Sequence, residues 1–202
     1  MEKAPPKERI LHAAVHLFAR QGFAATGLRE LAGQAEVNLA MINYFFGSKK
    51  GLLKEILDNF FKEYLAIAKQ ELTGPESLRI RLSRFIRSSV RYFDAEHNIL
   101  LVTIAELPHD DPDIVEHKAS WARQMAGILD REICQPLLKE TGRDIPPTCM
   151  GPMLTSLMAS RFLFLPVMTQ VNAQQARRVD IDRYTEMITE LFLKGLINTP
   201  TD

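Results

Sequence analysis

The chain has 202 residues, 46% of them hydrophobic, with 25 basic and 25 acidic side chains. That is enough apolar material for one large or two small domains with a substantial core, and the cancelled charge neither demands nor rules out a polyanionic partner. The opening MEKAPPKER lacks the apolar run of a secretory signal, and the longest apolar run, MLTSLMASRFLFLPVM, is interrupted by Arg161 and Pro166. Export and a membrane span are therefore disfavoured, and the expectation is a cytoplasmic, globular protein without a membrane partner.

Apolar residues recur every three to four positions, and no alternating run flanked by hairpin turns interrupts them. The expected fold is all-α. From Pro6 to Gln21, Ile10, Ala14, Leu17 and Phe18 form one stripe, and Gly22 is placed for a left-handed cap. A short second helix follows Thr26, with Leu28, Leu31, Ala32 and Ala35 inward. EVN makes a tight turn, and Leu39 to Phe46 gives about two helical turns. Ser48 is the expected N-cap of a long helix from Lys49 to about Glu71, ended by TGP.

Pro75 is expected to open a helix with Leu78, Leu82, Phe85, Ile86 and Val90 on its apolar side and Arg79, Arg81, Arg84, Arg87 and Arg91 on a solvated one. AEHNILLVTIAEL is another helix, stopped before Pro108. Asp111 can cap the segment from Asp113 to about Thr141, which Pro136 should bend or break. Two further helices cover roughly Thr148 to Thr169 and Asp182 to Ile197. Cys134 and Cys149 lack the close pairing of a metal or redox motif, so buried reduced thiols are expected, with a redox pair as the alternative.

Charge is unevenly spread. Residues 1 to 50 hold seven basic and four acidic side chains, and the remainder is acidic to the same extent. Three short helices, the second and third joined by a tight turn, match a helix-turn-helix unit, whose last helix enters the DNA major groove. Ile42, Phe45 and Phe46 would pack inward, leaving Asn38, Leu39, Ala40, Met41, Asn43 and Tyr44 toward DNA. The Asn43 amide suits the N6 and N7 positions of adenine, and the apolar side chains suit thymine methyls. Thr26 and Arg29 at one helix start, with Ser48, Lys49 and Lys50 at another, would grip phosphates.

Residues 9 to 57, RILHAAVHLFARQGFAATGLRELAGQAEVNLAMINYFFGSKKGLLKEIL, resemble the DNA-binding segment of the tetracycline-repressor (TetR) family of transcriptional regulators. The landmarks are Ala13-Ala14, Leu17-Phe18, Gly22, Thr26, Leu31-Ala32, Ala35, Val37, Tyr44 to Phe46, Ser48-Lys49 and Leu52-Leu53. The resemblance implies phosphate contacts at Thr26 and Lys49 and a recognition helix at 38 to 44. Gly27 departs from the second hydroxyl residue often found there, and Asn43 from a common tyrosine.

The resemblance further implies two domains, residues 1–50 for DNA binding through a helix-turn-helix and residues 51–202 for ligand binding and dimerization, joined by the long helix. The expected protein is no enzyme. It is a homodimeric repressor that binds a palindromic site in double-stranded DNA and is released by a small hydrophobic effector. The apolar segments Met150 to Met168 and Tyr184 to Ile197 would form the dimer bundle or, alternatively, complete the monomer core. Trp121, Met125, Met153, Met158, Arg161 and Phe162 are the candidate effector contacts, although methionines at helical spacing also read as ordinary core. Arg161, His97, Glu106 and His117 are the polar groups that could orient such a ligand, and the sequence does not choose among them. No cofactor or metal is expected: His12 and His16 have helical ligand spacing but no third ligand, and His109, Asp110, Asp111 and Asp113 read as a capped turn. A helical protein-binding adaptor or a small helical enzyme is the alternative, and the sequence carries no phosphate loop, nucleophile elbow or HExxH motif for the latter.

Overall fold

A computed structural model of the protein describes residues 4–104, 111–174 and 180–197. Among these residues the chain is helical, without a strand: α1 (Pro6–Gln21), α2 (Leu28–Gln34), α3 (Leu39–Phe46), α4 (Lys49–Leu72), α5 (Leu78–Ala95), α6 (His97–Ile104), α7 (Pro112–Leu129), one turn of π-helix (Asp130–Cys134), α8 (Gln135–Thr141), α9 (Pro147–Val171) and α10 (Ile181–Ile197). The all-α expectation holds. Two compact units are present, Met1–Lys62 with Glu96–Ala119, and Glu63–Ala95 with Ser120–Asp202. They are drawn differently from a functional division at residue 50, since α4 and α7 each contribute to both units.

In the first unit α1 begins at Pro6, whose fixed φ suits the first helical position and whose missing N–H costs nothing there. It buries Ile10, Ala13, Ala14, Leu17 and Phe18. The Gly22 N–H donates to the Phe18 carbonyl, and its φ of 83° lies in the region that favours glycine, but ψ 156° departs from the left-handed turn expected from sequence. Leu31, Ala32 and Ala35 are buried under it. The EVN turn then carries Glu36 at φ 52°, a left-handed conformation that costs a side-chain-bearing residue about 1–2 kcal/mol. Asn38 caps α3, its Oδ1 accepting the Ala40 N–H at 2.9 Å, and Gly47 at φ 72° ends it. Leu52, Leu53, Ile56 and Leu57 of α4 close the same interior, which Val102 and Ile114 complete. Each such fully buried aliphatic side chain contributes roughly 1.5–3 kcal/mol.

The second unit is built on α5, whose buried stripe of Leu78, Leu82, Phe85, Ile86, Val90 and Phe93 follows the expected spacing. The helix starts at Leu78, three residues after Pro75, and the Ser77 carbonyl accepts the Arg81 N–H at 3.1 Å. Arg79, Arg87 and Arg91 are exposed as expected, whereas Arg81 and Arg84 are half-buried. Arg81 donates through Nη1 to Glu132 at 3.1 Å and to the Leu72 carbonyl at the end of α4, and Arg84 pairs with Glu76 at 2.8 Å.

Pro136 does not break the helix beyond α7. A proline has no N–H and clashes with the carbonyl four residues back. Here the turn widens instead, and the Gln135 N–H reaches the Asp130 carbonyl five residues back. Two prolines, Pro152 and Pro166, lie inside α9, which turns Met150, Leu154, Met158, Ala159 and Phe162 inward. The Tyr184 hydroxyl of α10 inserts into α9, donating to the Leu157 carbonyl at 2.5 Å and accepting the Arg161 N–H at 3.2 Å. Cys134 is buried, but Cys149 is exposed, unlike the expectation for it.

One close approach fixes the α3–α4 corner. A Cβ built at Gly51 would lie 2.0 Å from the Phe46 carbonyl oxygen, which is main chain and has no rotamer by which to retreat. Gly51→Ala should therefore destabilise the protein by about 2–3 kcal/mol despite alanine's better helix propensity. Urea unfolding checks this, and a variant as stable as the parent would contradict the corner's geometry.

Candidate nucleic-acid interface

Helix α3 has eight residues, and Ile42 is its fully buried side chain. Phe45 and Phe46 are half-buried against the same core, in line with the inward role expected of them. Leu39 and Met41, expected to face DNA, are also half-buried and pack against this core. The reason is the narrowness of the helix: with one buried anchor, neighbouring positions have to share the apolar contact. What remains outward is Asn38, Ala40, Asn43 and Tyr44, the last 84% exposed. Residues 40, 43 and 44 are related by helical spacing and form one polar and aromatic face. Asn38 spends its oxygen on the cap, leaving its amide nitrogen as the donor end.

Arg29 is exposed on α2, and Ser48 is exposed at the start of α4. Ser48 acts as the N-cap expected of it, its Oγ accepting the Gly51 N–H at 3.0 Å. Thr26 is turned the other way. It is 1% exposed, and its hydroxyl donates to the Gly22 carbonyl at 2.9 Å, so its side chain fastens the α1–α2 loop. Lys49 Nζ donates to the carbonyls of Phe23 at 2.7 Å, Ala24 at 3.3 Å and Thr26 at 2.9 Å, and lies 4.5 Å from the Phe23 ring centroid. Partial burial there pushes its pKa below the ordinary lysine value.

Lys50 points to a different set of partners. It reaches Asp111 at 2.8 Å, Lys54 reaches Asp113 at 2.7 Å, and His117 Nε2 lies 2.7 Å from Asp58 Oδ1. Residues 50, 54 and 58 share one side of α4, so three rungs link it to the start of α7, with lysine on α4 in the first two and a carboxylate on α4 in the third. Asp111 also caps α7 by accepting the Asp113 N–H at 3.0 Å. The ladder was not anticipated from the sequence, although the four-residue spacing of Lys50, Lys54 and Asp58 is visible there. His109, Asp110 and Glu106 lie outside the described residues. His12 and His16 are exposed, and His16 Nδ1 is 2.9 Å from the Gln34 amide.

The six candidate effector contacts belong to the second unit. Met158 and Phe162 are buried in its interior, Trp121, Met125 and Arg161 are half-buried, and Met153 is 53% exposed. Met153 does not share the inward side of α9 with Met158 and Phe162. It belongs instead with Phe164, Val167, Met168 and Val171 among the exposed apolar side chains of that helix. His97 and His117 belong to the first unit.

Residues 10–56 match the family described as bacterial regulatory proteins, tetR family. The chain is 40% identical over 62 residues to the Bacillus subtilis protein named "Probable HTH-type transcriptional regulator YttP", a match covering 31% of this chain and 30% of that one. It is 29% identical over 133 residues to the HTH-type transcriptional repressor SCO4008 of Streptomyces coelicolor, covering 61% and 63%. It thus spans less than two thirds of the length of these curated relatives. Its fold is similar to that of the transcriptional regulator FadR from Bacillus subtilis, solved in complex with stearoyl-CoA, with TM-score 0.72 and 18% identity over 93% of this chain and 98% of that one.

The ladder gives the stability of the first unit a pH dependence. Hydrogen bonds from Lys50 and Lys54 are the leading causes that hold Asp111 and Asp113 below their ordinary carboxylate values. A depressed carboxylate contributes stability above its unfolded pKa and loses it as pH falls through the folded value, so the rungs should open from about pH 4 downward. Replacing both aspartates by asparagine should lower stability most near pH 7, with the gap to the parent closing toward pH 2. Urea unfolding across this range checks it; a gap of constant size would contradict the assignment.

Proposed function

We propose, from the premise that this chain belongs to the tetR family of bacterial regulatory proteins through its residues 10–56, that it is a sequence-specific DNA-binding repressor rather than an enzyme. It acts in the cytoplasm as a homodimer on a palindromic operator. The observation that carries this reading is the outward face of α3, where Ala40, Asn43 and Tyr44 stand clear of a helix anchored by Ile42. Asn43 would bond adenine through its amide, Ala40 would permit close approach, and Tyr44 would meet a base edge or sugar. Leu39 and Met41, being half-buried, contribute less to base reading. Phosphate contact falls to Arg29 and Ser48 on either side of the groove, with the charge of Lys49 behind them and Thr26 fastening the loop.

The division of labour is residues 1–50 for DNA and residues 51–202 for effector binding and dimerization. A two-fold interface is supported by the exposed apolar residues Met153, Phe164, Val167, Met168 and Val171 on α9 and Met187 and Leu191 on α10. Apolar exposure on this scale is unusual for a free surface. Helix α9 is also long and apolar enough to cross a membrane by length and composition. Its inward residues already pack in the second unit, so a second copy is the simpler cover.

The effector class this reading favours is a long-chain acyl group, in keeping with the apolar character of Met158 and Phe162 and with the stearoyl-CoA in the FadR structure of similar fold. It would release DNA only by binding one arrangement of the protein more tightly than the other. Helix α4, which contributes to both compact units, is the lever in this reading.

Selecting duplexes from a random pool, with and without stearoyl-CoA, tests the function. A palindromic motif recovered without the thioester and lost with it is the expected result; a folded protein that selects nothing in either condition would favour the adaptor. Asn43→Ala should cost about 1–3 kcal/mol on the selected site and relax preference at one position of each half-site. Equal losses on all sequences would remove its base-reading role. Phe164→Glu with Leu191→Glu should convert the dimer to monomer in sedimentation while preserving helicity, and an unchanged dimer would move the interface elsewhere.

A further inference from the structure

Lys49 and Lys50 are adjacent, yet they take different partners in the first unit: Lys50 pairs with Asp111, and Lys49 turns back onto the loop before α2. An ammonium group has three N–H donors and no acceptor. The three carbonyl oxygens around Lys49 Nζ, those of Phe23, Ala24 and Thr26, lie at 2.7, 3.3 and 2.9 Å and match that number. The Phe23 ring beneath the ammonium adds a cation–π contact, and its edge-to-face packing on buried Phe18, 5.2 Å between centroids, ties the cluster to the core. The loop is fastened from its other side by the Thr26 hydroxyl on the Gly22 carbonyl.

The link from Lys49 to Thr26 joins residues 23 apart in the chain, and everything between them is α2, the turn and α3. It therefore closes the whole helix-turn-helix into a ring with the start of α4. A cation at a helix N-terminus is disfavoured by the helix dipole, and the three carbonyl dipoles compensate for that position.

We propose that Lys49 is a positioning residue whose ammonium clamps the main-chain carbonyls of Phe23, Ala24 and Thr26 and so sets the pose of α3, rather than donating to DNA phosphate itself. This rests on the DNA-binding reading above. To contact a phosphate, Lys49 would have to give up a carbonyl that no other described side chain replaces. The clamp depends on three donors at one point. Arginine keeps the charge and is an excellent phosphate ligand, but its planar fork spreads its donors and cannot meet three carbonyls converging on one atom.

The test uses the full chain with the lysine ammonium groups labelled for NMR. In the DNA-free protein Lys49 Nζ should show slowed hydrogen exchange and couplings through hydrogen bonds to the carbonyl carbons of residues 23, 24 and 26. These should persist when the selected duplex is added. Lys49→Arg should lower affinity for that duplex about tenfold or more while leaving the salt dependence unchanged, because the charge is kept. Couplings that move to DNA phosphorus on binding, or Lys49→Arg binding as the parent does, would overturn the proposal. If Lys49→Arg fails to fold, the couplings in the parent still decide. Failure of the DNA-binding reading shows separately, as a parent protein that selects no duplex.

Discussion

An eight-residue helix has no stability of its own in water, because the cost of nucleating it is never recovered over so short a length. Helix α3 exists because Ile42 is sunk completely into the first unit and Leu39, Met41, Phe45 and Phe46 lean on the same core. The caps at Asn38 and Gly47 stop it at both ends. This single anchorage is what leaves the opposite side, with Ala40, Asn43 and Tyr44, unoccupied by the fold. The rest of the first unit, from Phe18 of α1 to Leu53 of α4, can be understood as the socket for that one side chain.

Within each unit the charged residues act as fasteners more than as a diffuse field. Arg81 joins the last carbonyl of α4 to Glu132 in the π-turn, and the Lys50–Asp111 and Lys54–Asp113 pairs hold α4 to the start of α7. Exposed ion pairs taken singly are worth about 0–1 kcal/mol. Their importance here is geometric, since each fixes the angle or register of a helix whose apolar contacts alone would tolerate sliding.

Much of this was legible in the sequence. The bounds of α1, α3 and α4, the Ser48 cap, the inward stripe of α5 and the burial of Ile42 all follow from helical spacing and capping chemistry, which are local. What stayed hidden was decided by distant main chain. Nothing near Lys49 announces that the carbonyls of residues 23, 24 and 26 will converge on it. Thr26 has the composition of a surface cap, yet Gly22 ends α1 at positive φ and leaves a carbonyl that draws the hydroxyl inward. Pro136 looked like a breaker because the sequence does not say that a helix can widen by one residue to accommodate it. Met153 shares a helix with Met158, and only the packing of the second unit separates an outward methionine from an inward one.

The contact between Gly51 and the Phe46 carbonyl places two stretches of main chain against each other with no side chain between them. The corner that aims α3 is therefore specified by backbone, while the face it presents is specified by side chains that touch little else. Exposed substitutions of that kind usually change stability by no more than about 0.5 kcal/mol. Under the proposed function, a lineage could exchange the residues at 40, 43 and 44 and acquire a new DNA target without having to rebuild the mount, so that preference drifts far more freely than architecture.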